Sequence, residues 1–235
     1  MLISIIRKLK SMLCSPNEKW RRIKFGIAKK CWFLISRKSH LRIEFGLFEL
    51  SLAKYVCAFS RNANIAYDIG AEMGYYSLAF LRCMGGSGKV YAFEANKERV
   101  LKFSELVKRN NAEERIKVFE AYVTNEEDLD LGSSLKKISL DSFVYKQGNP
   151  APNVIKMDIE GEELKALQGA EKMLREYRPK LMIEIHSRDL AIQCPAYLEK
   201  LGYKVRTIKQ GWFNKLFPEA RFDGRNEYNG YLVAE

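Results

Sequence analysis

The residues best suited to chemistry lie in the stretch YDIGAEMGYYS, residues 67 to 77. Asp68 and Glu72 stand there around Gly70 and Gly74, directly after a short apolar run. The glycines permit a tight turn and a close approach of the backbone to a ligand. Two carboxylates in one turn would repel a pyrophosphate, and the G-x-G-x-x-G spacing of dinucleotide-binding turns is missing. The turn therefore predicts a site for a ligand with a cationic centre.

S-adenosylmethionine is such a ligand, because its sulfonium and ammonium charges can be offset by carboxylates. Glu94 follows Gly70 by 24 residues, at the end of the run KVYAFE. An acid at this point of a nucleotide-binding fold accepts hydrogen bonds from both hydroxyls of a ribose, in NAD-binding proteins as well. Tyr75 and Tyr76 open the next helix, where they contact the cofactor or join the core. The residues predicted to bind this cofactor are Asp68, Gly70, Ala71, Glu72, Gly74, Tyr75, Tyr76, Glu94 and Ala95.

These residues need an alternating α/β scaffold to bring them together. Strand-like runs and helical patterns alternate from residue 65 onward, which predicts βαβ units and a parallel sheet covered on both faces. The ligand crevice is expected at the carboxyl ends of the strands. The runs KVRTI and NGYLVAE near the end predict an antiparallel hairpin at the sheet edge, and 129–143 predicts small β ribbons. The predicted strands are 65–69, 88–95, 116–123, 153–161 and 180–186, and the helices are 77–84, 97–111, 162–177 and 191–203.

The basic charge of the chain is concentrated in residues 1–60, which hold 13 Lys and Arg against 3 Asp and Glu, or +10 of the formal +11. Apolar residues from Leu2 to Leu13 recur at helical spacing with basic residues between them. This helix is expected to lie on an anionic membrane surface, or to pack on the main domain or a second subunit, with RNA contact a lesser option. A second helix is predicted from Trp20 to Ile35, and 41–59 is expected to begin as a strand and become helical.

Composition narrows the class of protein. With 47% hydrophobic residues in 235, we expect one domain with an appendage, divided as a basic arm (1–60) and a main domain (61–235). No run approaches the roughly 18 apolar residues of a membrane span, and no secretory signal is expected. Five scattered cysteines indicate reduced thiols and a cytoplasmic protein, and two histidines exclude a histidine-rich metal centre. No metal is predicted.

Several blocks together resemble the FkbM-type S-adenosylmethionine-dependent methyltransferases. They are YDIGAEMGYYSLAF, VYAFEANKERVLKFSELVKRN, ISLDSF, VIKMDIEGEELKALQGAEKML and PKLMIEIH, spanning about residues 65 to 187. The most specific is the D-x-E-G-x-E motif followed by a helix. The sequence departs from the family pattern at Glu72, often Asn, and at Ala95, often Pro, and the basic arm has no counterpart.

The resemblance implies a Rossmann-like class I methyltransferase sheet and transfer of a methyl group to a hydroxyl of a sugar, glycan, glycolipid or other small acceptor. Asp158 is then expected to orient or deprotonate the acceptor, unless it merely caps the following helix. Glu160 is expected to shape the acceptor pocket, and His186 is a candidate general base. Ala121 and Tyr122 are placed beside the adenine ring by topology and resemblance.

Other functions stay open beside this one. A methyltransferase-fold module without catalysis could bind a membrane or an RNA partner through the arm, and an RNA methyltransferase is a further alternative. The chain lacks the D/N-P-P-Y/F run of adenine amino-methylating enzymes after the fourth strand, so nucleic acid is the less favoured substrate. A peripheral position on the inner face of a membrane and a homo-oligomeric state are both compatible with the sequence.

Overall fold

The computed structural model describes residues 17–36, 40–126, 136–209 and 230–235. The described strands are β1 (Lys19–Arg22), β2 (Trp32–Ile35), β3 (Ile65–Ile69), β4 (Lys89–Glu94), β5 (Ile116–Glu120), β6 (Tyr122–Val123), β7 (Lys137–Ile138), β8 (Val154–Met157), β9 (Lys180–Ile185), β10 (Val205–Lys209) and β11 (Gly230–Ala234). The described helices are α1 (Leu41–Glu44), α2 (Leu50–Ser60), α3 (Tyr75–Met84), α4 (Lys97–Arg109), α5 (Glu163–Gln168), α6 (Glu171–Tyr177) and α7 (Arg188–Lys200), with a π-helical turn at Ser142–Lys146.

A seven-stranded sheet in the order β10-β11-β9-β8-β3-β4-β5 forms the centre of the fold. The five strands from β9 to β5 pair in parallel, and β11 is antiparallel to both β9 and β10. This arrangement confirms the predicted α/β class and the antiparallel C-terminal pair, in which β11 lies inside the sheet and β10 forms its edge. The chain order reverses between β3 and β8, so a crevice opens at their carboxyl ends.

Both faces of the sheet are buried, which explains why its strands read as continuous apolar runs. One face packs against β1, β2 and helices α2 to α4, and the other against α5 to α7 and the π-helical turn. Side-chain caps start two of the longer helices. Asn96 accepts from the backbone N–H of Arg99 at 3.1 Å to begin α4, and Ser187 accepts from that of Leu190 at 3.2 Å to begin α7.

The predicted helix from Trp20 to Ile35 is wrong, because β1 and β2 form an antiparallel hairpin there. The turn between them contains Gly26 at φ 78°, a left-handed conformation that favours glycine over a continued helix. The Asn110 side chain at the end of α4 then fixes the hairpin, since it accepts from Trp32 N at 2.8 Å and donates to Trp32 O at 2.9 Å. The hairpin is therefore joined to the main domain.

Other local predictions also need correction. Residues 41–59 begin with the short helix α1 and not with a strand. The helix expected at 162–177 is divided into α5 and α6 at Gly169, where a Cβ would lie 2.3 Å from Thr124 O. Of the segment 129–143, in which ribbons are expected from the sequence, the described part contains the two-residue strand β7, which pairs in parallel with β6, and the start of the π-helical turn. The amphipathic helix predicted from Leu2 to Leu13 lies outside the described residues.

The expectation of reduced thiols is wrong at one pair of cysteines. Cys57 on α2 and Cys83 on α3 are joined by a disulfide, with their Cα atoms 5.0 Å apart. They are 26 residues apart in sequence, and no spacing motif indicates that they pair. The disulfide forms because α2 packs along α3. Cys31 and Cys194 are free thiols. Within the described residues, no helix combines the length and the apolar character that crossing a membrane requires.

Candidate active site

A cavity of about 270 Å³ opens at the carboxyl ends of β3, β4 and β8, where the parallel sheet predicts a ligand crevice. It brings together eight of the residues predicted from the sequence. These are Gly70, Glu72, Glu94, Ala95, Ala121, Tyr122, Asp158 and Glu160. The remaining lining residues are Ile69, Phe93, Arg99, Val123 and Ile159. Six cofactor-side candidates thus share one cavity with Asp158 and Glu160, whereas His186, the third acceptor-side candidate, is not among its lining residues.

Gly70 is required by the geometry at the end of β3. Its φ is +74°, and a Cβ built there would lie 1.7 Å from the carbonyl oxygen of Asp158. The backbone N–H groups of Gly70 and Ala71 both donate to Phe93 O, at 2.9 and 3.0 Å. The turn therefore ties β3 to β4 on one side and lets the Asp158 backbone approach on the other.

Glu94 is held in a fixed orientation at the end of β4. Its Oε2 accepts from the backbone N–H of Glu72 at 2.9 Å, and its Oε1 accepts from that of Asn96 at 2.8 Å. A carboxylate has about four acceptor positions, so each oxygen keeps one for a further donor. Two vicinal ribose hydroxyls fit this requirement, and the residues present therefore fit a nucleoside cofactor.

Glu72 contributes to the site through its backbone. Its N–H holds Glu94, whereas its side chain is 59% exposed and lies 3.9 Å from the Arg99 guanidinium at the cavity rim. Its φ is 52°, which is unfavourable for a residue with a Cβ. Glu160, exposed on the acceptor side of the cavity, has a similar φ of 49°. Strained residues of this kind concentrate at functional sites.

Five predicted cofactor residues do not line the cavity. Asp68 is fully buried behind the turn, where Oδ2 accepts from Ser77 Oγ at 2.7 Å and Oδ1 has no partner among the described residues. Burial raises the pKa of Asp68. Ala71 is also buried. A Cβ on Gly74 would lie 2.2 Å from the Phe103 ring, so Gly74 allows helix packing.

Tyr75 and Tyr76, the other two, point into the core. The Tyr75 ring packs edge-on against Phe33 and Phe48, and the Tyr76 hydroxyl donates to Glu49 Oε2. Both tyrosines are buried. Both tyrosines therefore join the core, which is one of the two roles expected for them, and neither ring reaches the cavity.

A cluster of charged groups surrounds Asp158. Asp158 Oδ1 lies 3.3 Å from His186 Nε2, and Oδ2 lies 3.0 Å from Lys156 Nζ. On its other side, His186 Nδ1 lies 2.6 Å from Glu163 Oε1. Lys156 is 3% exposed and its ammonium lies 4.7 Å from the centre of the Tyr76 ring. Asp158 is thus held between two cationic partners.

The pKa values follow from this arrangement. Burial opposes the charged form of His186, but hydrogen bonds with Asp158 and Glu163 outweigh it and raise its pKa to about 10. Burial likewise opposes ionisation of Asp158, yet Lys156 and His186 hold its pKa well below the usual range. The carboxylates around Lys156 raise its pKa against the effect of burial. At neutral pH the cluster therefore contains an imidazolium, an ammonium and the Asp158 carboxylate.

Glu163 and Lys156 are functional candidates that the sequence interpretation misses. The sequence assigns Glu163 only to favouring the helix N-terminus, but it is fully buried and also accepts from Gly161 N at 3.1 Å. Asp158 makes no capping bond to α5, which argues against the capping alternative. The sequence does contain one signal that Lys156 belongs to the cluster. Residues two apart on an extended chain point to the same side, as Lys156 and Asp158 do, and Glu184 and His186 as well.

A cation could in principle use Asp158, Glu184 and His186, whose ligand atoms lie within 4.8 Å of one another. Lys156 already supplies positive charge to Asp158, and burial, followed by Asp158 and Glu49, raises the pKa of Glu184 well above its usual value. These residues therefore satisfy one another, and we propose no metal here.

The described fold is that of the class I S-adenosylmethionine-dependent methyltransferases. It is similar to an FkbM methyltransferase from Methylobacillus flagellatus KT, with a TM-score of 0.57 and 21% identity over 73% of this chain and 43% of that chain. An O-methyltransferase from Thermotoga maritima has a TM-score of 0.51 and 13% identity, over 77% and 62% of the two chains. An O-methyltransferase from Bacillus cereus in complex with SAH has a TM-score of 0.50 and 15% identity, over 77% and 78%.

The chain belongs to the FkbM methyltransferase family, because residues 68–205 match the Methyltransferase FkbM domain. This match confirms the resemblance seen in the sequence, and S-adenosylmethionine is the cofactor of the family. No curated protein sequence matches the chain at a significant level. The chain spans less than half the length of the Methylobacillus protein.

Proposed function

We propose that this protein transfers a methyl group from S-adenosylmethionine to a hydroxyl of a sugar, glycan or glycolipid acceptor. The observation that carries this proposal is Asp158, which lines the cavity and whose carboxylate lies between Lys156 and His186. Glu94, which lines the same cavity, is oriented to accept from ribose hydroxyls. We therefore assign Glu94 to the cofactor and Asp158 to the acceptor.

Bound S-adenosylmethionine supplies an electrophilic methyl group on a sulfonium, which is a good leaving group. Asp158 accepts a hydrogen bond from the acceptor hydroxyl and directs its oxygen toward the methyl carbon. As the new oxygen–carbon bond forms and the carbon–sulfur bond breaks, the hydroxyl becomes strongly acidic. Its proton then passes to Asp158, so that a carboxylate with a low pKa is a sufficient base.

His186 has a different role in this mechanism from that of a free general base. Both of its ring nitrogens face carboxylate oxygens, and an imidazolium can donate to both. Its raised pKa keeps it protonated at neutral pH. We therefore assign His186 to holding Asp158 ionised and oriented, with Glu163 fixing the ring from behind. Glu160 is proposed to contact the acceptor from the rim of the cavity.

The proposal is tested with Asp158→Asn and a matched control, Asp189→Asn, on the exposed first turn of α7. Methyl transfer is screened across sugars, glycolipids and phenols, and binding of S-adenosylhomocysteine is measured by calorimetry. Asp158→Asn should lower kcat by roughly 100-fold or more and change cofactor affinity less than about threefold. The control should leave both unchanged. Cofactor binding without turnover on any acceptor would favour the non-catalytic module, and absence of binding would reject the enzyme.

The acceptor is further proposed to be met at the inner face of a membrane, because residues 1–60 carry nearly all of the net positive charge. On this ground we propose a cytoplasmic protein, although the Cys57–Cys83 disulfide of the structure is typical of an oxidising compartment. Alkylation of thiols in freshly lysed cells tests the location. Labelling of Cys57 and Cys83 would support the cytoplasm, and protection of both by the disulfide would contradict it.

A further inference from the structure

Exposed apolar side chains collect at the tip of the β1–β2 hairpin and at the start of α2. Phe25 is 58% exposed, Leu47 37% and Leu50 45%. The hairpin turn and the connection between α1 and α2 are in contact, because a Cβ added to Gly46 would lie 2.1 Å from the carbonyl oxygen of Phe25. We call Phe25, Leu47 and Leu50 the apolar face. Other exposed large hydrophobic residues of the described chain, such as Leu101 and Ile192, lie on separate helices.

Cationic side chains flank the apolar face. Lys29 and Lys30 follow Phe25 in the hairpin turn and are exposed. Together with Arg82 and Arg115 they line a cavity of about 390 Å³, whose lining residues include no Asp or Glu. Arg82 also lines a neighbouring cavity with Leu50, so the cationic and apolar regions are contiguous. An apolar patch beside concentrated positive charge is complementary to an anionic lipid surface.

We propose that the apolar face docks on an anionic phospholipid bilayer. Phe25, Leu47 and Leu50 enter the region between headgroups and acyl chains, and lipid phosphates contact Lys29 and Lys30 at the mouth of the cationic cavity. The charge of the whole segment supports this occupant, since residues 1–60 carry +10 of the net +11. The proposal assigns membrane contact to described residues of the hairpin and of the α1–α2 connection.

The apolar face is connected to the active site through the interior of the domain. Leu50 follows Glu49, whose carboxylate accepts from the Tyr76 hydroxyl. The Tyr76 ring lies 4.7 Å from Lys156 Nζ, which in turn pairs with Asp158. A short series of direct contacts therefore leads from the apolar face to Asp158. The inference rests on the proposed function in one respect, namely that a lipid-linked acceptor would be met at this membrane surface.

The test is co-sedimentation of the full chain with vesicles of phosphatidylcholine alone or mixed with phosphatidylglycerol. The wild-type protein should partition at least about tenfold more strongly onto the anionic vesicles. The double variant Phe25→Ser/Leu50→Ser should lose about tenfold of that partitioning. The matched control Leu101→Ser/Ile192→Ser removes two apolar side chains that are at least as exposed, and it should stay within about twofold of wild type. Equal partitioning of wild type onto both vesicles, or no loss in the double variant, would overturn the proposal.

Insertion is measured separately with Phe25→Trp and the control Ile192→Trp. Bromine-labelled lipid tails should quench the added fluorescence of Phe25→Trp and not that of Ile192→Trp, because quenching requires contact with the acyl region. Equal quenching of both would contradict docking through the apolar face.

Two measurements separate this inference from other outcomes. Calorimetry with S-adenosylhomocysteine on Phe25→Ser/Leu50→Ser should give wild-type affinity, which shows that the variant is folded and leaves the proposed function intact. Light scattering gives the oligomeric state of each variant. If the double variant converts an oligomer into a monomer while vesicle partitioning is unchanged, a second copy of the chain covers the face and the membrane proposal fails.

Discussion

His186 Nδ1 lies 2.6 Å from Glu163 Oε1, while the opposite ring nitrogen faces Asp158 at 3.3 Å. A neutral imidazole has one donor nitrogen and one acceptor nitrogen, so it can satisfy only one of these carboxylates. The pair with Glu163 therefore stabilises the doubly protonated ring. This relationship connects a buried acid on α5 with the acceptor side of the cavity and leads to the first two predictions.

The pKa of His186 should lie above the ordinary value for an imidazole, and the pKa of His40 should lie below it. Hydrogen bonds raise the pKa of His186 to about 10, whereas burial lowers that of His40. NMR titration of the ring protons measures both, with His40→Asn to assign the signals. Glu163→Gln should lower the pKa of His186 by on the order of one unit or more, because it removes a partner charge.

Glu162→Gln is the control for that titration, since Glu162 pairs with Lys165. It should leave the His186 pKa unchanged. A wild-type His186 titrating near 6.5 would refute the assigned imidazolium, whatever the effect of Glu163→Gln.

Folding stability should fall in alkaline solution because of His186. Its pKa in the folded state, about 10, exceeds the unfolded value of 6.5, so its contribution is fully present below about pH 6.5. The contribution is lost as pH rises toward 10. The amount lost is on the order of 3 kcal/mol, measured by urea unfolding across this range.

His186→Gln isolates this effect from other groups that titrate in the same range. The variant should be less stable than wild type near pH 6.5, and the difference should shrink steadily toward pH 10. A difference that is constant with pH would mean that the His186 charge contributes nothing to folding.

Gly70→Ala should damage the junction between β3 and Asp158. A methyl group would lie 1.7 Å from the Asp158 carbonyl oxygen, and the residue would keep a φ of +74°. We expect a loss of at least about 3 kcal/mol in unfolding free energy and of about tenfold in S-adenosylhomocysteine affinity. Gly86→Ala is the control, because no atom lies within 4 Å of the position that its methyl group would take, and it should stay within about 0.5 kcal/mol of wild type.

Glu72→Asn should make the protein more stable. Asn adopts left-handed φ values more readily than Glu, and Glu72 holds a φ of 52° while its side chain makes only an exposed contact at 3.9 Å. We expect the free energy of unfolding, measured by thermal denaturation, to rise by about 0.5 kcal/mol. The reverse exchange, Asn111→Glu at a φ of 51°, should cost a similar amount. A destabilised Glu72→Asn would show that the Glu72 carboxylate has a structural role.

The sequence predicts the cavity well where topology alone decides the outcome. Gly70, Glu94 and Asp158 follow strands of one parallel sheet, and such strand ends must meet at one edge. The sequence predicts poorly where packing between elements distant in the chain decides which contacts a residue makes. Gly74 in the same turn faces Phe103 of α4, a contact that no local pattern contains. Glu163 likewise becomes a partner of His186 only once α5 lies beside the end of β9.

The N-terminal hairpin escapes prediction for a related reason. Its apolar residues fit a helical and an extended pattern equally well over so short a segment. The structure distinguishes them through Gly26, whose left-handed φ turns the chain, and through Asn110, which pairs with Trp32 of β2 from 78 residues away. Gly26 stands within residues 20–35 as a helix-disfavouring glycine, but nothing in that stretch indicates the contact with Asn110.

The attachment of the hairpin has a practical consequence for anyone dividing this protein into pieces. Phe33 and Ile35 share a buried cluster with Phe80 and Phe103, and Asn110 satisfies the backbone of Trp32. Excision at residue 60 would strip an apolar layer from α3 and α4 and leave a fragment prone to aggregation. Deletions aimed at the basic segment should therefore stop before β1, and the hairpin should be treated as part of the catalytic unit.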